Sequence, residues 1–125
     1  MATILLVDDD SQVREMLTLV LRMEGFTVTP ARNAADALRI SRSMSGQIDL
    51  LISDVEMPDT DGLQLAAALR DTYPAIPVLL ISGGRRHIDT LSSFSCCFLS
   101  KPLHMATFLR TVRQLASERR AHVAA

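Results

Sequence analysis

Short apolar runs alternate with segments of helical periodicity along the whole chain. The apolar runs cover residues 4–7, 26–29, 50–53, 78–82 and 97–99, and each has the length of a single β-strand. The runs at 4–7, 50–53 and 78–82 are almost continuously apolar, which is typical of strands covered on both faces, whereas the run at 26–29 alternates like an edge strand. The pattern predicts an α/β protein with five strands in a parallel sheet.

Signals for the start and end of a helix lie between these strands. Three early helices are expected to start near a capping side chain or a glycine and to end at glycine or proline. Their predicted bounds are Asp10 or Ser11 to Gly25, Asn33 to Gly46, and about Gly62 to Tyr73 and Pro74. Between Ser82 and Cys97, glycines and serines weaken any helix, so a fourth helix there is expected to be short or irregular.

The last helix carries the clearest apolar stripe and is predicted to close the sheet. The stripe consists of Met105, Phe108, Leu109, Val112, Leu115 and Ala116. Arg110, Arg113 and Glu118 are expected to face outward. The Ala-rich tail from about residue 120 is expected to be frayed.

The composition indicates an ordinary globular protein. With 125 residues, 48% of them hydrophobic and 22% charged, the chain is predicted to form a single domain over residues 1–125. A net charge of -1 gives no overall attraction to nucleic acid or to an anionic membrane, so we expect it to bind neither directly. The apolar runs are too short to cross a membrane and do not resemble a signal peptide, which favours a cytoplasmic location.

The cysteines and histidines offer no obvious metal site. Cys96 and Cys97 are adjacent, so they cannot join distant segments, and we expect them to be small buried hydrophobic residues. His87, His104 and His122 are not at the ends of predicted strands, and we expect them on the surface or at helix ends.

Polar side chains stand at or just after the carboxyl ends of four predicted strands. In chain order they are Asp8 and Asp9, Asp54, Ser82, and Lys101. Because the carboxyl ends of parallel strands open onto one edge of a sheet, we expect these groups to converge. Asp10, Asp59 and Asp61 are expected to serve as turn or cap residues instead.

Such a cluster favours a bound magnesium ion. Two carboxylates about 4 Å apart repel by roughly 4 kcal/mol at an effective dielectric constant near 20, so a cation is expected between them. Mg²⁺ accepts one or two carboxylates and a carbonyl and keeps sites for phosphate oxygens. Lys101, followed by Pro102, can pair with a carboxylate or a phosphoryl oxygen. Ser82 can donate a hydrogen bond but lacks a base that would make it a nucleophile.

These positions together resemble the receiver domain of two-component response regulators. The matching segments are Ile4-Leu5-Leu6-Val7-Asp8-Asp9, Ser53-Asp54-Val55-Glu56-Met57-Pro58 with Asp61-Gly62, Ile81-Ser82, and Ser100-Lys101-Pro102. The resemblance implies a doubly wound, flavodoxin-like sheet of strand order 2-1-3-4-5 with helices on both faces. It also implies a phosphorylated Asp54, Mg²⁺ held by Asp9, Asp54 and the Glu56 backbone carbonyl, and an assisting Asp8.

The resemblance further implies how the domain works. Lys101 and Ser82 hold the phosphoryl group, which comes from the phosphohistidine of a histidine kinase or a histidine phosphotransfer protein. Movement of Ser82 and of the aromatic Phe98 then switches the conformation that an effector protein or domain reads, although Phe98 can equally be an ordinary core residue. The domain is expected to dephosphorylate itself but not to turn over an external substrate. We hypothesise that Glu56 adds negative charge beside the phosphoryl group.

Two other interpretations remain open at this point. Asp8-Asp9-Asp10 also fits the opening motif of haloacid-dehalogenase-like phosphatases, with Asp8 as the nucleophile. That interpretation leaves the segment 54–58 unexplained, and only Glu118 supplies an acid after Lys101. A binding module that no longer needs phosphorylation is disfavoured, because all the site positions hold chemically competent groups.

Overall fold

The computed structural model describes residues 2–44, 46–58, 60–83 and 96–124, with the side chains of the last helix described as far as residue 117. Five strands alternate with helices, which we number in order through the described residues. The elements are β1 (Thr3–Val7), α1 (Ser11–Met23), β2 (Thr27–Ala31), α2 (Ala34–Ser43), β3 (Leu50–Asp54), α3 (Gly62–Leu69), β4 (Val78–Ser82), β5 (Cys97–Ser100) and α4 (Met105–Ala124).

The strands form one parallel sheet in the order β2-β1-β3-β4-β5, as predicted. Val7 of β1 is level with Ser53 of β3, and Asp54 is level with Ile81 of β4. Ser82 is level with Ser100 of β5. This register brings the carboxyl ends of four strands to the same height, which is what a shared site at that edge requires.

Two apolar clusters cover the two faces of the sheet. On one face, Leu17 and Leu21 of α1 and Phe108 and Val112 of α4 pack with alternate side chains of the central strands. On the other face, α2 and α3 pack with the remaining side chains, and Tyr73 belongs to this cluster. Burial on both faces explains why the central strands are continuously apolar. The doubly wound arrangement is therefore confirmed.

The helix starts follow the predicted caps. The side chain of Asp10 accepts hydrogen bonds from two backbone N–H groups of the first turn of α1, and Asn33 and Asp61 each accept one, in α2 and α3. These bonds satisfy donors that a helix start leaves unpaired. Gly25 follows α1 with a φ of +96°, and such a left-handed residue is a common way to end a helix. Asp59 lies outside the described residues.

Some predicted bounds were wrong. β2 begins at Thr27 and runs through Pro30 to Ala31, and Pro30 is tolerated because β2 is an outer strand. α3 ends at Leu69, well before Tyr73. Proline disfavours helical geometry in the residue before it, which here is Tyr73. Tyr73 is buried, and its hydroxyl donates to the Ser41 carbonyl oxygen at 3.0 Å. The predicted irregular fourth helix lies in residues 84–95, outside the described residues.

The expected burial of both cysteines was also wrong. Cys97 is exposed and Cys96 is half-buried, because β5 is the outer strand beyond β4 and its side chains are only partly covered. Burial nevertheless raises the pKa of the Cys96 thiol.

At the C-terminus, α4 continues through Ala124, beyond the point where a frayed tail was expected, and fraying itself stays a prediction. Among the described residues, no helix combines the length and apolar content needed to span a membrane.

Candidate functional site

Three acids meet at the carboxyl ends of β1 and β3. Each of Asp8, Asp9 and Asp54 offers a carboxylate oxygen, and these oxygens all lie within 4.8 Å of one another. Asp8 and Asp54 are buried, at 3% and 5% exposure, whereas Asp9 is exposed. The predicted cluster therefore forms, with two acids held by the fold and the third open to solvent.

The loop after β1 is fixed by its own hydrogen bonds. Asp8 Oδ1 accepts the backbone N–H of Asp10 at 2.9 Å. The Arg14 guanidinium donates from Nη1 to the carbonyl oxygen of Asp8 at 2.7 Å. Sequence reasoning did not identify this role of Arg14, because a helical arginine four residues after a cap is an ordinary surface residue by pattern alone. Together these bonds orient the loop that carries the acid pair.

Asp54 is the last residue of β3, and a glycine packs directly against its backbone. A Cβ atom on Gly62 would lie 2.5 Å from the Asp54 carbonyl oxygen and 3.1 Å from the Cα of Val55. The N–H of Gly62 also donates to the carbonyl oxygen of Val55 at 2.9 Å. Only glycine allows the start of α3 to approach the strand this closely. Asp61-Gly62 belonged to the matching segments, but its packing role was not predicted.

Lys101 reaches Asp54 from the end of β5. Its Nζ lies 3.0 Å from Asp54 Oδ2, forming both a hydrogen bond and an ion pair. The backbone N–H of Lys101 donates to the carbonyl oxygen of Ser82 at 2.9 Å, which fixes the lysine beside β4. The Lys101–Pro102 peptide bond is cis. Lys101 is the only lysine among the 13 basic residues of the chain, and it points at the central acid, as predicted.

Ser82 is almost fully buried at the end of β4, and its hydroxyl contacts an acidic side chain. Ser82 Oγ donates to Glu56 Oε1 at 2.7 Å, and the N–H of Gly83 donates to the same oxygen at 3.1 Å. The N–H of Glu56 in turn donates to Asp54 Oδ1 at 3.3 Å. Sequence reasoning placed Glu56 beside the site, but these side-chain contacts emerge only in the folded protein.

The electrostatics of the cluster favour a cation. Burial raises the pKa of Asp54 and outweighs the lowering by the Lys101 hydrogen bond and charge. Burial likewise raises the pKa of Asp8, and the charges of Asp54 and Asp9 add to that rise. Burial lowers the pKa of Lys101, but the hydrogen bond and charge of Asp54, together with the charges of Asp8 and Glu56, raise that pKa by more. The acids are thus held in a region that disfavours their charged forms unless positive charge lies nearby.

The donor set fits Mg²⁺ better than a transition metal. Three carboxylates lie close enough to share an ion, and oxygen ligands of this kind suit a hard cation. Of the three histidines, His104 is exposed just before α4, as predicted, while His87 and the His122 side chain lie outside the described residues. Phe98 is half-buried and packs against the cluster on the α2 and α3 face, so part of its role is ordinary core.

Comparison with known proteins identifies the family to which the chain belongs. The family described as the response regulator receiver domain matches residues 4–113. The chain belongs to the response regulator receiver domain family. Receiver domains are signalling domains rather than turnover enzymes, and they act with histidine kinases and effectors.

Individual relatives agree with this receiver domain assignment. The chain is 34% identical to the sensor kinase CckA of Brucella abortus over 119 residues, which is 91% of this chain but 12% of that kinase. The receiver domain from the hybrid histidine kinase CckA is 36% identical, with a TM-score of 0.80 over 92% of this chain and 99% of that one. The chain therefore spans a small part of a longer relative.

A second solved structure is similar at the same level. The response regulator protein TrrA from Thermotoga maritima, solved in complex with Mg²⁺ and BeF, is 31% identical, with a TM-score of 0.81 over 92% of this receiver domain and 99% of that chain. These matches support a phosphoacceptor role in signalling and not the phosphatase alternative with Asp8 as the nucleophile. The geometry agrees, because the single lysine contacts Asp54.

Proposed function

We propose that this receiver domain accepts a phosphoryl group on the carboxylate of Asp54. The observation that carries the proposal is the contact of Lys101 Nζ with Asp54 Oδ2 at 3.0 Å, at the end of a buried strand and beside two further acids. A lysine ammonium is a compact point charge that can pair with a carboxylate first and a phosphoryl oxygen afterwards. Within the described part of the chain, Asp54 is the acid that forms an ion pair with Lys101, which is the chain's only lysine.

In the proposed reaction, a bond forms between an Asp54 carboxylate oxygen and phosphorus while the phosphorus–nitrogen bond of a donor phosphohistidine breaks. The electron pair of the broken bond stays on the imidazole, which leaves as neutral histidine after taking a proton. Lys101 neutralises charge on the phosphoryl oxygens, and Ser82 can donate a hydrogen bond to one of them. Positioning and charge stabilisation supply most of the catalysis in a loose transition state of this kind.

Asp9, Asp54 and the backbone carbonyl of Glu56 are the ligands that we propose for Mg²⁺, with Asp8 assisting through water. When bound, Mg²⁺ would supply positive charge between the carboxylates and the phosphoryl oxygens. The close approach of the three acids and the raised pKa values of Asp8 and Asp54 support this assignment.

An apolar groove beside the site supports a protein donor. The groove has a volume of about 500 Å³, and its lining includes Asp8 and Lys101 of the site and Met16 of α1. Met16, Leu19 and Met23 are exposed at 47%, 61% and 76%, and their spacing places them along one side of α1. A donor must reach Asp54 from this open edge, so we propose that the protein carrying the phosphohistidine packs on α1.

We further propose that residues 1–125 form one receiver domain that acts in the cytoplasm and returns to its resting state by dephosphorylation. Ser82 and Phe98 are the proposed switch residues through which an effector protein or domain reads the phosphorylation. Because the 125-residue chain has a net charge of -1, we do not expect it to bind nucleic acid directly.

Phosphorylation with small donors tests the proposal. Acetyl phosphate or phosphoramidate, whose P–N bond resembles that of phosphohistidine, should add one phosphoryl group per chain when Mg²⁺ is present, as seen by intact-protein mass spectrometry. Asp54→Asn should abolish the addition, and Asp71→Asn, which changes an exposed acid after α3, should leave it intact. Addition to Asp54→Asn at the wild-type level would overturn the proposal.

A further inference from the structure

The carboxylate of Glu56 fills a small anion-binding position at the mouth of the site. Two donors, the Ser82 hydroxyl and the Gly83 N–H, point at the single oxygen Oε1, at 2.7 Å and 3.1 Å. Converging donors of this kind form an anion cradle, and they are also the groups that stabilise developing negative charge in active sites. In this protein the anion in the cradle is one of its own side chains.

The phosphoryl group proposed for Asp54 needs the same donors. Ser82 has one hydroxyl hydrogen, so it cannot donate to Glu56 and to a phosphoryl oxygen at the same time. Glu56 also stays close to the acceptor, because its N–H donates to Asp54 Oδ1 at 3.3 Å. Its carboxylate and an incoming phosphoryl group are both anionic and repel each other at short range.

We propose that the Glu56 side chain is an internal competitor of the phosphoryl group, and that phosphorylation of Asp54 displaces it from Ser82 and Gly83. The inference rests on the proposed phosphoacceptor function and adds its regulation. No covalent bond changes at Glu56, because the exchange replaces the acceptor of the hydrogen bonds from Ser82 and Gly83. Glu56 is exposed, so its displaced carboxylate can turn into solvent.

In the unphosphorylated state, this competition keeps the Ser82 hydroxyl bonded to Glu56. While Glu56 accepts from Ser82, the switch hydroxyl is kept in place by a charged acceptor, and charged acceptors make hydrogen bonds roughly twice as strong as neutral ones. Phosphorylation must therefore replace these contacts as well as form new ones. The domain would be harder to phosphorylate and would return to rest more readily than one without this side chain.

Beryllofluoride, a small analogue of the phosphoryl group, tests the competition directly. Its apparent dissociation constant in the presence of Mg²⁺ can be measured by calorimetry and by the amide spectrum of isotope-labelled protein. Glu56→Ala should bind about tenfold more tightly than wild type, the equivalent of about 1.4 kcal/mol. Glu56→Gln keeps a neutral acceptor and should fall between the two. Both variants keep the backbone carbonyl proposed as a magnesium ligand.

Two comparisons separate competition from a general effect of charge. Glu15→Gln removes the same charge from an exposed position on α1 and should bind beryllofluoride as wild type does. In a Ser82→Ala background, the gain from Glu56→Ala should shrink, because one of the two contested donors is gone. Without any ligand, Glu56→Ala should also move the Gly83 amide resonance, since that N–H loses its acceptor.

The outcomes distinguish this inference from the function beneath it. If wild type binds beryllofluoride and Glu56→Ala binds no more tightly, the competition is overturned while the phosphoacceptor function stands. An equal gain in Glu15→Gln and Glu56→Gln would also overturn it, because the effect would then be one of net charge. If neither wild type nor any variant binds beryllofluoride, the proposed function fails and the inference fails with it.

Discussion

The body and the carboxyl end of the same strand use burial in opposite ways. Along β3, Leu50, Leu51 and Ile52 are completely buried apolar residues, and their removal from water stabilises the fold. Two residues after Ile52, Asp54 is nearly as buried, yet burial raises its pKa and so disfavours its charged form. The apolar body of the strand therefore stabilises the fold, and this stability offsets the cost of burying the Asp54 carboxylate at the end of the strand.

Truncation of the strand body should have the largest effect on stability. Ile52→Ala leaves a cavity between the sheet and the helices of its cluster and should lower the free energy of unfolding by about 2–5 kcal/mol. The fraction that remains folded should still accept one phosphoryl group from acetyl phosphate. Urea denaturation and intact mass at low temperature measure the two quantities. Folded protein that cannot be phosphorylated would contradict the division between body and end.

At the strand ends, loss of the Lys101 charge should lower the rate of phosphorylation more than it lowers stability. Lys101→Gln keeps a donor but removes the ammonium on Asp54 Oδ2, and the rate of phosphorylation by phosphoramidate should fall about 100-fold, as for loss of a preorganised charge-stabilising group. Arg110→Gln, an exposed charge change on α4, is the matched control. A rate within about twofold of wild type would remove Lys101 from the proposed mechanism.

Gly62 of α3 packs against the end of β3, so a substitution there should change both stability and phosphorylation. Gly62→Ala forces a Cβ against the Asp54 carbonyl oxygen, so the backbone must shift, and we expect a loss of about 1–3 kcal/mol of stability together with slower phosphorylation. Gly83→Ala is the control for stability, because among the described residues its Cβ would meet only the flexible Lys101 side chain, at 3.9 Å. Equal unfolding midpoints for the two variants would contradict the packing role of Gly62.

The smallest expected effect has the opposite sign. Asp8→Asn keeps an oxygen that can accept the Asp10 N–H but removes a buried charge, so without Mg²⁺ at neutral pH it should stabilise the fold by about 0.5–2 kcal/mol. Because the pKa of Asp8 is raised in the folded state, wild type loses stability as the pH rises from the ordinary value of 3.8 through the folded value. The advantage of Asp8→Asn should therefore disappear on acidification below that ordinary value.

Thermal unfolding across a pH series checks this last prediction. A matched control is Asp71→Asn, which changes an exposed acid after α3. A variant that is no more stable than wild type at neutral pH would show that Asp8 is accommodated without cost. Added Mg²⁺ should reverse the order, since it stabilises the form with the more complete ligand set.

Much of the fold could be predicted because most local signals agreed with the final structure. The continuous apolar runs became the buried central strands, and Asp10, Asn33 and Asp61 cap the helices they precede. The end of α3 was mispredicted because the apolar spacing of the helix extends to Tyr73, although the helix ends at Leu69 and Tyr73 is held in the core by its hydroxyl, which donates to the carbonyl oxygen of Ser41, 32 residues away. Local periodicity carries no information about such a distant contact.

The order of residues alone establishes which chemical groups stand at the ends of the strands, because the alternation of apolar runs and polar residues sets where each strand stops and which side chains come next. How those groups meet depends on the folded chain. The parallel register brings Lys101 onto Asp54, the absent side chain of Gly62 lets α3 approach β3, and Glu56 takes the donors of Ser82 and Gly83. Most of these contacts join residues far apart in the chain, so their geometry depends on packing across the whole sheet and not on any local pattern.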